Sequence, residues 1–383
     1  MIARRRQVAL ALTAVLAAGA ACQAENRQEH ATGRPAPAST ARGFTLVASG
    51  DVLPSASVIE RAKFDAGGKG YDFRPMLAGI EPVVRRADLA LCHMETAYGA
   101  DGAYTGSPLF KSPPEVATAL VTTGYDGCST ASEHALDDGP AGIARTLDAM
   151  DQAGLGHAGT ARTEEESRTV TILQAGPARV AYLSYTDNTN ADAIPTDQPA
   201  AVNPLDLRRI VADAHTARQA GADVVVVSVH WGTAWQDAPE QRQLTLAKQI
   251  TAAHTGGRPD IDLVLGTHGQ APQPYEKVNG TWVVYGLGDQ ISGEPADGQG
   301  GQDPRGNQST LGRFTFSPPA TPGGRWQVTR AEFVPQMYDL DAGRVVDLNA
   351  AVANGAELAP VRDRIRDVVF SRGAAKDGLL MGS

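Results

Sequence analysis

The sequence is poor in several features that would define a specialised class of protein. Its 383 residues include 3 cysteines and no CxxC pair, so neither a disulfide framework nor a thiolate metal site is predicted. Hydrophobic residues make up 42% and charged residues 20%, which excludes coiled coil, collagen and wholesale disorder. Basic residues are outnumbered, 34 against 43 acidic, and the net charge of −9 argues against a nucleic-acid partner. The composition is that of an ordinary soluble α/β protein of one large domain or two smaller ones.

Long hydrophobic runs are also scarce, and the main one lies near the N-terminus. Three arginines precede the apolar stretch Val8–Ala18, which is too short to cross about 30 Å of hydrocarbon. We therefore predict that residues 1–21 are a signal peptide. Gly19-Ala20-Ala21-Cys22 resembles the lipobox of bacterial lipoproteins, which implies a lipid on Cys22 and an extracytoplasmic lipoprotein at the cell membrane. The alternative is cleavage at an A-x-A-like site, which would give a secreted protein.

Residues 22–42 contain almost no large apolar side chain, so they are predicted to be a flexible tether. We find no internal repeat or linker beyond them and predict a single domain over residues 43–383. Short apolar runs alternate there with amphipathic stretches, which indicates βα units around a mainly parallel sheet. The predicted strands are Phe44–Ala48, Asp88–Cys92, Gly124–Ser129, Val180–Tyr185, Asp223–His230 and Asp262–Gly266, with antiparallel additions at Arg313–Ser317 and Trp326–Pro335. The predicted helices are Pro113–Thr123, capped by Ser112, Asp138–Gln152, Pro204–Gln219, capped by Asn203, and Pro360–Phe370.

Charged and imidazole side chains recur where the apolar strands end. The carboxyl ends of parallel strands share one edge of a sheet, where α/β proteins build ligand sites. Each residue also has an ordinary explanation: a turn cap for Asp51, a solvated loop charge for Glu95, and a hydrogen bond at the edge of the core for each later histidine. The strand-end residues, in chain order, are Asp51, His93, Glu95, Glu133, His134, His230 and His268.

A mixed set of carboxylates and imidazoles at one sheet edge is typical of a divalent-metal site. Carboxylates supply negative charge and can bridge two ions, while neutral imidazole suits Mn, Zn or Fe. Such centres activate water and hold an oxygen that becomes negative during hydrolysis. The sequence therefore predicts one or two divalent ions of unknown identity.

Eight segments occur in an order that resembles a known family. They are Ser49-Gly50-Asp51, Asp88–Thr96, Gly124-Tyr125-Asp126 with Ala131–Asp137, His157-Ala158-Gly159, Leu183–Thr186, His230-Trp231-Gly232, Gly266-Thr267-His268 with Gln273-Pro274, and Tyr285–Asp289. On these segments the chain resembles the CapA family of capsule or poly-γ-glutamate synthesis proteins, whose fold is similar to that of calcineurin-like metallophosphoesterases. The resemblance extends roughly from Phe44 to Gln290 and implies an α/β four-layer α/β/β/α sandwich of metallophosphatase type with mixed sheets.

The resemblance also implies roles for individual residues. His134 would act as a general acid. Independently of the resemblance, Trp231 and Trp235 would either stack on substrate or pack at the pocket rim. Gln270 stands where a second histidine is common, and Leu53 replaces the histidine of an opening D-x-H pair. These departures leave open a rearranged site, a single ion, or a pocket that binds without reacting. The implied metal ligands are Asp51, Glu95, Glu133, His230 and His268, and the implied substrate-binding residues are His93, Gln270 and Trp231.

The function implied by the resemblance is synthesis, export or processing of an anionic capsular polymer such as poly-γ-glutamate, by metal-dependent hydrolysis or transfer. The partners would be the anionic polymer or a phosphorylated substrate, and a membrane-bound polymer synthase. The alternatives are a secreted metal-dependent phosphoesterase and a non-catalytic accessory protein that binds polymer or synthase. An acidic protein acting on an acidic polymer is electrostatically unfavourable unless bound metal supplies positive charge.

Two cysteines remain after Cys22, and both lie late in neighbouring predicted strands. A disulfide between Cys92 and Cys128 requires a narrow range of Cα separations. We therefore expect two buried thiols rather than a disulfide.

Overall fold

The computed structural model describes residues 42–190, 194–293, 303–321 and 323–382. The predicted signal peptide, Cys22 and all but the last residue of the predicted tether lie outside these ranges, so they stay predictions. The strands are β1 (Phe44–Val52), β2 (Leu89–Met94), β3 (Ala97–Tyr98), β4 (Lys111–Ser112), β5 (Gly127–Ser129), β6 (Gly156–Ala158), β7 (Thr171–Ala175), β8 (Ala178–Thr186), β9 (Val224–His230), β10 (His254–Thr255), β11 (Arg258–Pro259), β12 (Leu263–Thr267), β13 (Tyr275–Val278), β14 (Thr281–Val284), β15 (Asp289–Ile291), β16 (Gln308–Ser317), β17 (Gln327–Asp339), β18 (Arg344–Asp347) and β19 (Leu379–Met381). The α-helices are α1 (Ala56–Asp65), α2 (Arg74–Leu77), α3 (Glu81–Val84), α4 (Glu115–Thr123), α5 (Gly139–Ala153), α6 (Glu164–Ser167), α7 (Leu207–Gln219), α8 (Gln241–Ala252), α9 (Leu348–Ala353) and α10 (Ala359–Phe370).

Most of the strands belong to two mixed sheets. Sheet 1 has the order β18-β17-β16-β1-β2-β5-β6, with β15 beside β1 and β19 beside β17. Its strands β1, β2, β5 and β6 are parallel, and β16 to β18 continue it in antiparallel pairing. Sheet 2 has the order β13-β14-β12-β9-β8-β7, parallel in its four central strands and antiparallel at both edges. The predicted combination of parallel and antiparallel strands is therefore confirmed.

The alternation of side chains along the strands produces four layers. Leu46 on β1 faces Val226 on β9 in a core between the two sheets. The next residue of β1, Val47, packs on the other side against α1, α2, α4 and α5, and Val225 packs against α7 and α8 behind sheet 2. Because successive residues of a strand point to opposite faces, each buried strand serves two cores. The predicted α/β/β/α sandwich is confirmed.

Two details of the helix starts differ from the prediction. Ser112 does not cap α4, because it lies in β4 and its hydroxyl is hydrogen-bonded to that of Thr96 at 2.7 Å. The N-cap of α7 is Asp206 rather than Asn203, since the Asp206 side chain accepts the Arg209 N–H. Within the described ranges, no helix has the length and apolar character needed to cross a membrane.

Cys92 and Cys128 form a disulfide, so the expectation of two thiols is wrong. The two residues are direct neighbours in the parallel pairing of β2 with β5, which brings their Cα atoms to 4.4 Å. The disulfide is buried between sheet 1 and its helices. Composition and spacing do not fix the register of two strands, and the register decides this pairing.

The disulfide should contribute strongly to stability, because it closes a loop with a sequence separation of 36 residues. We expect the double variant Cys92→Ala/Cys128→Ala to lower the free energy of unfolding by about 3–4 kcal/mol, the loop-entropy effect for this length. Urea denaturation followed by circular dichroism measures the change. Equal unfolding free energies for the oxidised wild type and the variant would contradict the prediction.

Candidate metal centre

Eight side chains converge at one end of the sandwich, where strands of both sheets end. Their candidate ligand atoms form four overlapping groups of three, and within each group the atoms lie within 4.8 Å of one another. All five predicted metal ligands belong to these groups. We call the full set the strand-end cluster: Asp51, His93, Glu95, Glu133, His134, His230, His268 and Asp289.

Strand register places these residues side by side. In sheet 1, Asp51 is paired with His93 on β2 and with Asp289 on β15. In sheet 2, His230 at the end of β9 is paired with Thr267 at the end of β12. The Asp51 side chain accepts the backbone N–H of His268 at 3.0 Å, which connects the ends of the two sheets directly.

Glu133 lies between two imidazoles of sheet 2. One carboxylate oxygen makes a short hydrogen bond with Nε2 of His230, and the other lies 2.8 Å from Nδ1 of His268. Burial alone would raise the pKa of Glu133, but these two imidazoles outweigh it and hold that pKa well below its ordinary value. Burial also opposes charge on His268, yet the contact with Glu133 raises the pKa of His268. Glu133 and His268 therefore stabilise each other's charged forms, whereas burial outweighs the contact with Glu133 at His230 and lowers the pKa of that imidazole.

The carboxylates on the sheet 1 side lack such compensation. Asp51, Glu95 and Asp289 are all 0% exposed. Among the described residues, Oδ1 of Asp51 and both oxygens of Glu95 have no hydrogen-bond partner. Nε2 of His230 lies 3.9 Å from Oε1 of Glu95, too far for a hydrogen bond. Burial raises the pKa of Asp51 to about 8, and it raises the pKa values of Glu95 and Asp289 well above their ordinary range, with neighbouring carboxylates adding to the effect.

This donor set fits a divalent cation. A buried carboxylate without a partner is costly, and a cation is a partner that satisfies several of them together. Nε2 of His93, which has no hydrogen-bond partner in the described part of the chain, is in the same group as Asp51 and His230 and adds an imidazole donor. Carboxylate oxygens with imidazole nitrogens are ligands that Mn, Fe and Zn accept.

The family of bacterial capsule synthesis proteins PGA_cap matches residues 45–294, a segment that contains the whole strand-end cluster. The chain belongs to this family. The match confirms the resemblance carried by the eight ordered segments.

Curated relatives of this PGA_cap protein have related names. It is 29% identical over 177 residues to the capsule biosynthesis protein CapA of Bacillus anthracis, covering 45% of this chain and 42% of that protein. It is 26% identical over 246 residues to a probable polyglutamine synthesis accessory protein of Mycobacterium tuberculosis, covering 61% and 63%. The chain thus spans roughly half of the length of these relatives. Among solved structures, a putative 5'-nucleotidase from Staphylococcus aureus shares 15% identity with a TM-score of 0.46, covering 78% of this chain and 55% of that one, a likeness too distant to carry an argument.

Asp289 is a member of the cluster for which no role was predicted. It follows β14 and the loop Tyr285–Gly288, and it ends the last of the eight segments that resemble the family. Strand β15 pairs in parallel with β1, and this pairing sets Asp289 beside Asp51. An acidic residue after a buried strand was the available signal, but the pairing of β15 with β1 was not predictable from local pattern.

His134 belongs to a group with Glu95 and Glu133. Its Nδ1 lies 2.7 Å from a carboxylate oxygen of Asp137 and 3.1 Å from the side-chain amide of Asn190. A proton on Nδ1 that is donated to Asp137 leaves the lone pair on Nε2, which can then accept and release a proton. The arrangement is suited to proton transfer at Nε2.

The predicted substrate-binding residues occupy three different environments. Trp231 is 1% exposed, and its indole N–H donates to the Tyr285 carbonyl at 2.9 Å within the core behind sheet 2. The prediction for Trp231 is wrong, because the residue after His230 points to the opposite face of the strand. His93 is 1% exposed, stacked on His230 with ring centres 4.7 Å apart, so it is placed as a candidate ligand rather than a surface contact. Gln270 lies in the loop after His268 outside the candidate ligand groups, and its substrate role stays a prediction.

The raised pKa of Asp51 predicts how the metal-free protein responds to pH. In the unfolded chain Asp51 ionises near 3.8, whereas in the folded protein it does so near 8. The folded state therefore retains a proton that the unfolded state has lost, and stability falls as the pH rises through this interval by about 1.4 kcal/mol for each pKa unit. We expect Asp51→Asn to flatten the decline, measured as the melting temperature between about pH 5 and pH 8 in the presence of EDTA. Parallel curves for the wild type and the variant would contradict this assignment.

Proposed function

We propose that this PGA_cap protein binds one or two divalent cations, Mn, Zn or Fe, at the strand-end cluster and hydrolyses bonds of an anionic capsular polymer of the poly-γ-glutamate kind. The observation that carries the proposal is the set of fully buried carboxylates, with oxygens of Asp51 and Glu95 that have no partner among the described residues. Names of curated relatives, which refer to capsule biosynthesis and to polyglutamine synthesis, support the choice of polymer.

The chain's own residues would divide the work as follows. Asp51, Glu95 and Asp289 offer oxygens, and His230 and His268 offer nitrogens on the two sides of Glu133. A bound divalent cation supplies positive charge to an oxygen that becomes negative during hydrolysis. In the proposed role of His134, Nε2 would take up a proton released by the attacking water and donate it to the leaving nitrogen of the cleaved amide, while Asp137 accepts the Nδ1 proton and keeps the ring in place. The cation would also reduce the repulsion between an acidic protein and an acidic polymer.

The direct test uses purified full-length protein, poly-γ-glutamate and added Mn or Zn. We expect the average polymer length to fall and new amino groups to appear, and EDTA to stop both changes. Metal-loaded protein that leaves the polymer length unchanged would contradict the hydrolytic proposal.

A second candidate function is non-catalytic polymer binding by an accessory protein. It is favoured by Glu133, whose carboxylate contacts the imidazoles of both His230 and His268 and competes with a metal for their nitrogens. In that case the same experiment would give polymer binding, measured by equilibrium dialysis, without shortening.

We also propose that the protein is exported and held at the cell membrane through a lipid on Cys22. The support is the N-terminal sequence pattern, together with a buried disulfide of a kind that persists in oxidising compartments. The variant Cys22→Ser should move the protein from the membrane fraction to the soluble extracytoplasmic fraction. Unchanged membrane retention of this variant would contradict lipid anchoring.

A further inference from the structure

Trp235 differs from the other three tryptophans of the chain. Trp231, Trp282 and Trp326 are 1%, 3% and 6% exposed, whereas Trp235 is only partly buried. The buried indoles are part of hydrophobic cores. For Trp235, the described part of the chain provides neither a stacked ring nor a hydrogen bond to the indole. Of the four indoles, that of Trp235 is therefore the one that a ligand can reach.

The backbone at Trp235 is strained. Its φ is +68°, in the left-handed region that a bulky side chain rarely adopts and that glycine adopts at no cost. The loop that contacts it has two more non-glycine residues of this kind, His268 at +81° and Gln270 at +50°. Strain of this type persists only where surrounding contacts impose it, and it is concentrated at functional sites.

Hydrogen bonds impose this conformation from both sides. The backbone N–H of Trp235 donates to the carbonyl of Gly269 at 3.0 Å, directly after the cluster residue His268. The next carbonyl, that of Gln236, accepts from the side chain of Gln273 at 2.9 Å, and Gln273 is 0% exposed. The segment around Trp235 is thus hydrogen-bonded to the loop that carries His268, a residue of the strand-end cluster.

We propose that Trp235 is a specificity residue that contacts the polymer. The inference rests on the proposed function and adds the part of the substrate that is recognised. A γ-linked glutamate unit carries a carboxylate, two methylene groups and a flat amide. Long-range electrostatics do not attract the polymer carboxylates to an acidic protein. An indole can instead add affinity by packing on the uncharged methylene groups and the flat amide, and its N–H can donate to a carbonyl or carboxylate.

Tryptophan fluorescence tests the contact, because Trp235 is the partly exposed indole among four. Acrylamide quenching of the full-length protein should fall severalfold when a poly-γ-glutamate oligomer is added with Zn²⁺. The variant Trp235→Phe should lack most of the quenchable signal, and the control Trp326→Phe, which alters an indole packed on Phe44, should behave like the wild type. Quenching that is unchanged at saturating oligomer would overturn the proposal.

Equilibrium dialysis with Trp235→Gly separates this inference from the proposed function. Glycine tolerates the backbone conformation, so the melting temperature should stay the same or rise. The affinity for the oligomer should fall about tenfold, the equivalent of about 1.4 kcal/mol. Equal affinity of this variant and the wild type would overturn the role of Trp235 and leave the proposed function standing. A wild type that binds no oligomer would overturn both.

Discussion

Glu95→Gln should weaken divalent-metal binding more than about a hundredfold, since even outer-shell partners of metal ligands contribute about 10- to 100-fold. The same variant should raise the melting temperature of the metal-free protein. Glu95 is 0% exposed, neither of its oxygens has a hydrogen-bond partner among the described residues, and burial with neighbouring Glu133 raises its pKa. Glutamine removes the free-energy cost of burying an acid, which should raise the melting temperature. It also removes a carboxylate ligand, which should weaken metal binding. Isothermal titration with Zn²⁺ and thermal unfolding in EDTA measure the two effects.

Glu332→Gln is the matched control, because Glu332 is also a buried glutamate but has partners. It is 4% exposed, and its oxygens accept from Arg313 at 3.0 Å and from Arg330 at 2.8 Å. Although burial opposes its ionisation, these two arginines lower the pKa of Glu332 to about 2. This variant should lower the melting temperature and leave metal affinity unchanged. If Glu95→Gln lowers the melting temperature of the metal-free protein as much as Glu332→Gln does, the conclusion that Glu95 lacks a compensating partner is wrong.

His134→Ala should reduce polymer hydrolysis by about 10²- to 10⁴-fold, the usual contribution of a general acid, with metal content unchanged. The side chain contacts Asp137 through Nδ1, and its group in the cluster contains Glu95 and Glu133. Asp137→Asn should have a smaller effect on turnover and should shift the pH profile, because Asp137 acts through the imidazole. Initial rates across pH, with metal measured in parallel, separate the two roles.

His157→Ala provides the control for His134. His157 lies in β6, the edge strand of sheet 1, but it is outside the candidate ligand groups and pairs with Asp151 at 3.0 Å. Turnover by this variant should match the wild type. Full activity of His134→Ala would show that the proton comes from another group.

The four-layer fold was implied by the family resemblance, whereas most of the cluster follows from local patterns in the sequence. Apolar runs followed by Asp51, Glu95, His230 or His268 can be read one strand at a time, and parallel strands bring their ends together. Asp289 was missed because its position depends on pairing of β15 with β1, a contact between distant parts of the chain. The disulfide of Cys92 depends on the register of β2 with β5 for the same reason.

Two further features depended on side-chain direction. Trp231 was predicted either to contact substrate or to pack at the pocket rim, but it directly follows His230, and side-chain alternation directs it into the core behind sheet 2. The bridging position of Glu133 between His230 and His268 depends on the conformation of the loop after β5, which no periodicity describes.

Metal content is the most direct test of the central claim, that the strand-end cluster is a divalent-metal centre. Full-length wild type and Glu95→Gln would be purified, dialysed with Mn, Zn and Fe, freed of excess ions and analysed by inductively coupled plasma mass spectrometry. We expect one or two tightly bound equivalents of metal in the wild type and a near-complete loss in the variant. A wild type without bound metal, or equal metal content in the two proteins, would contradict it.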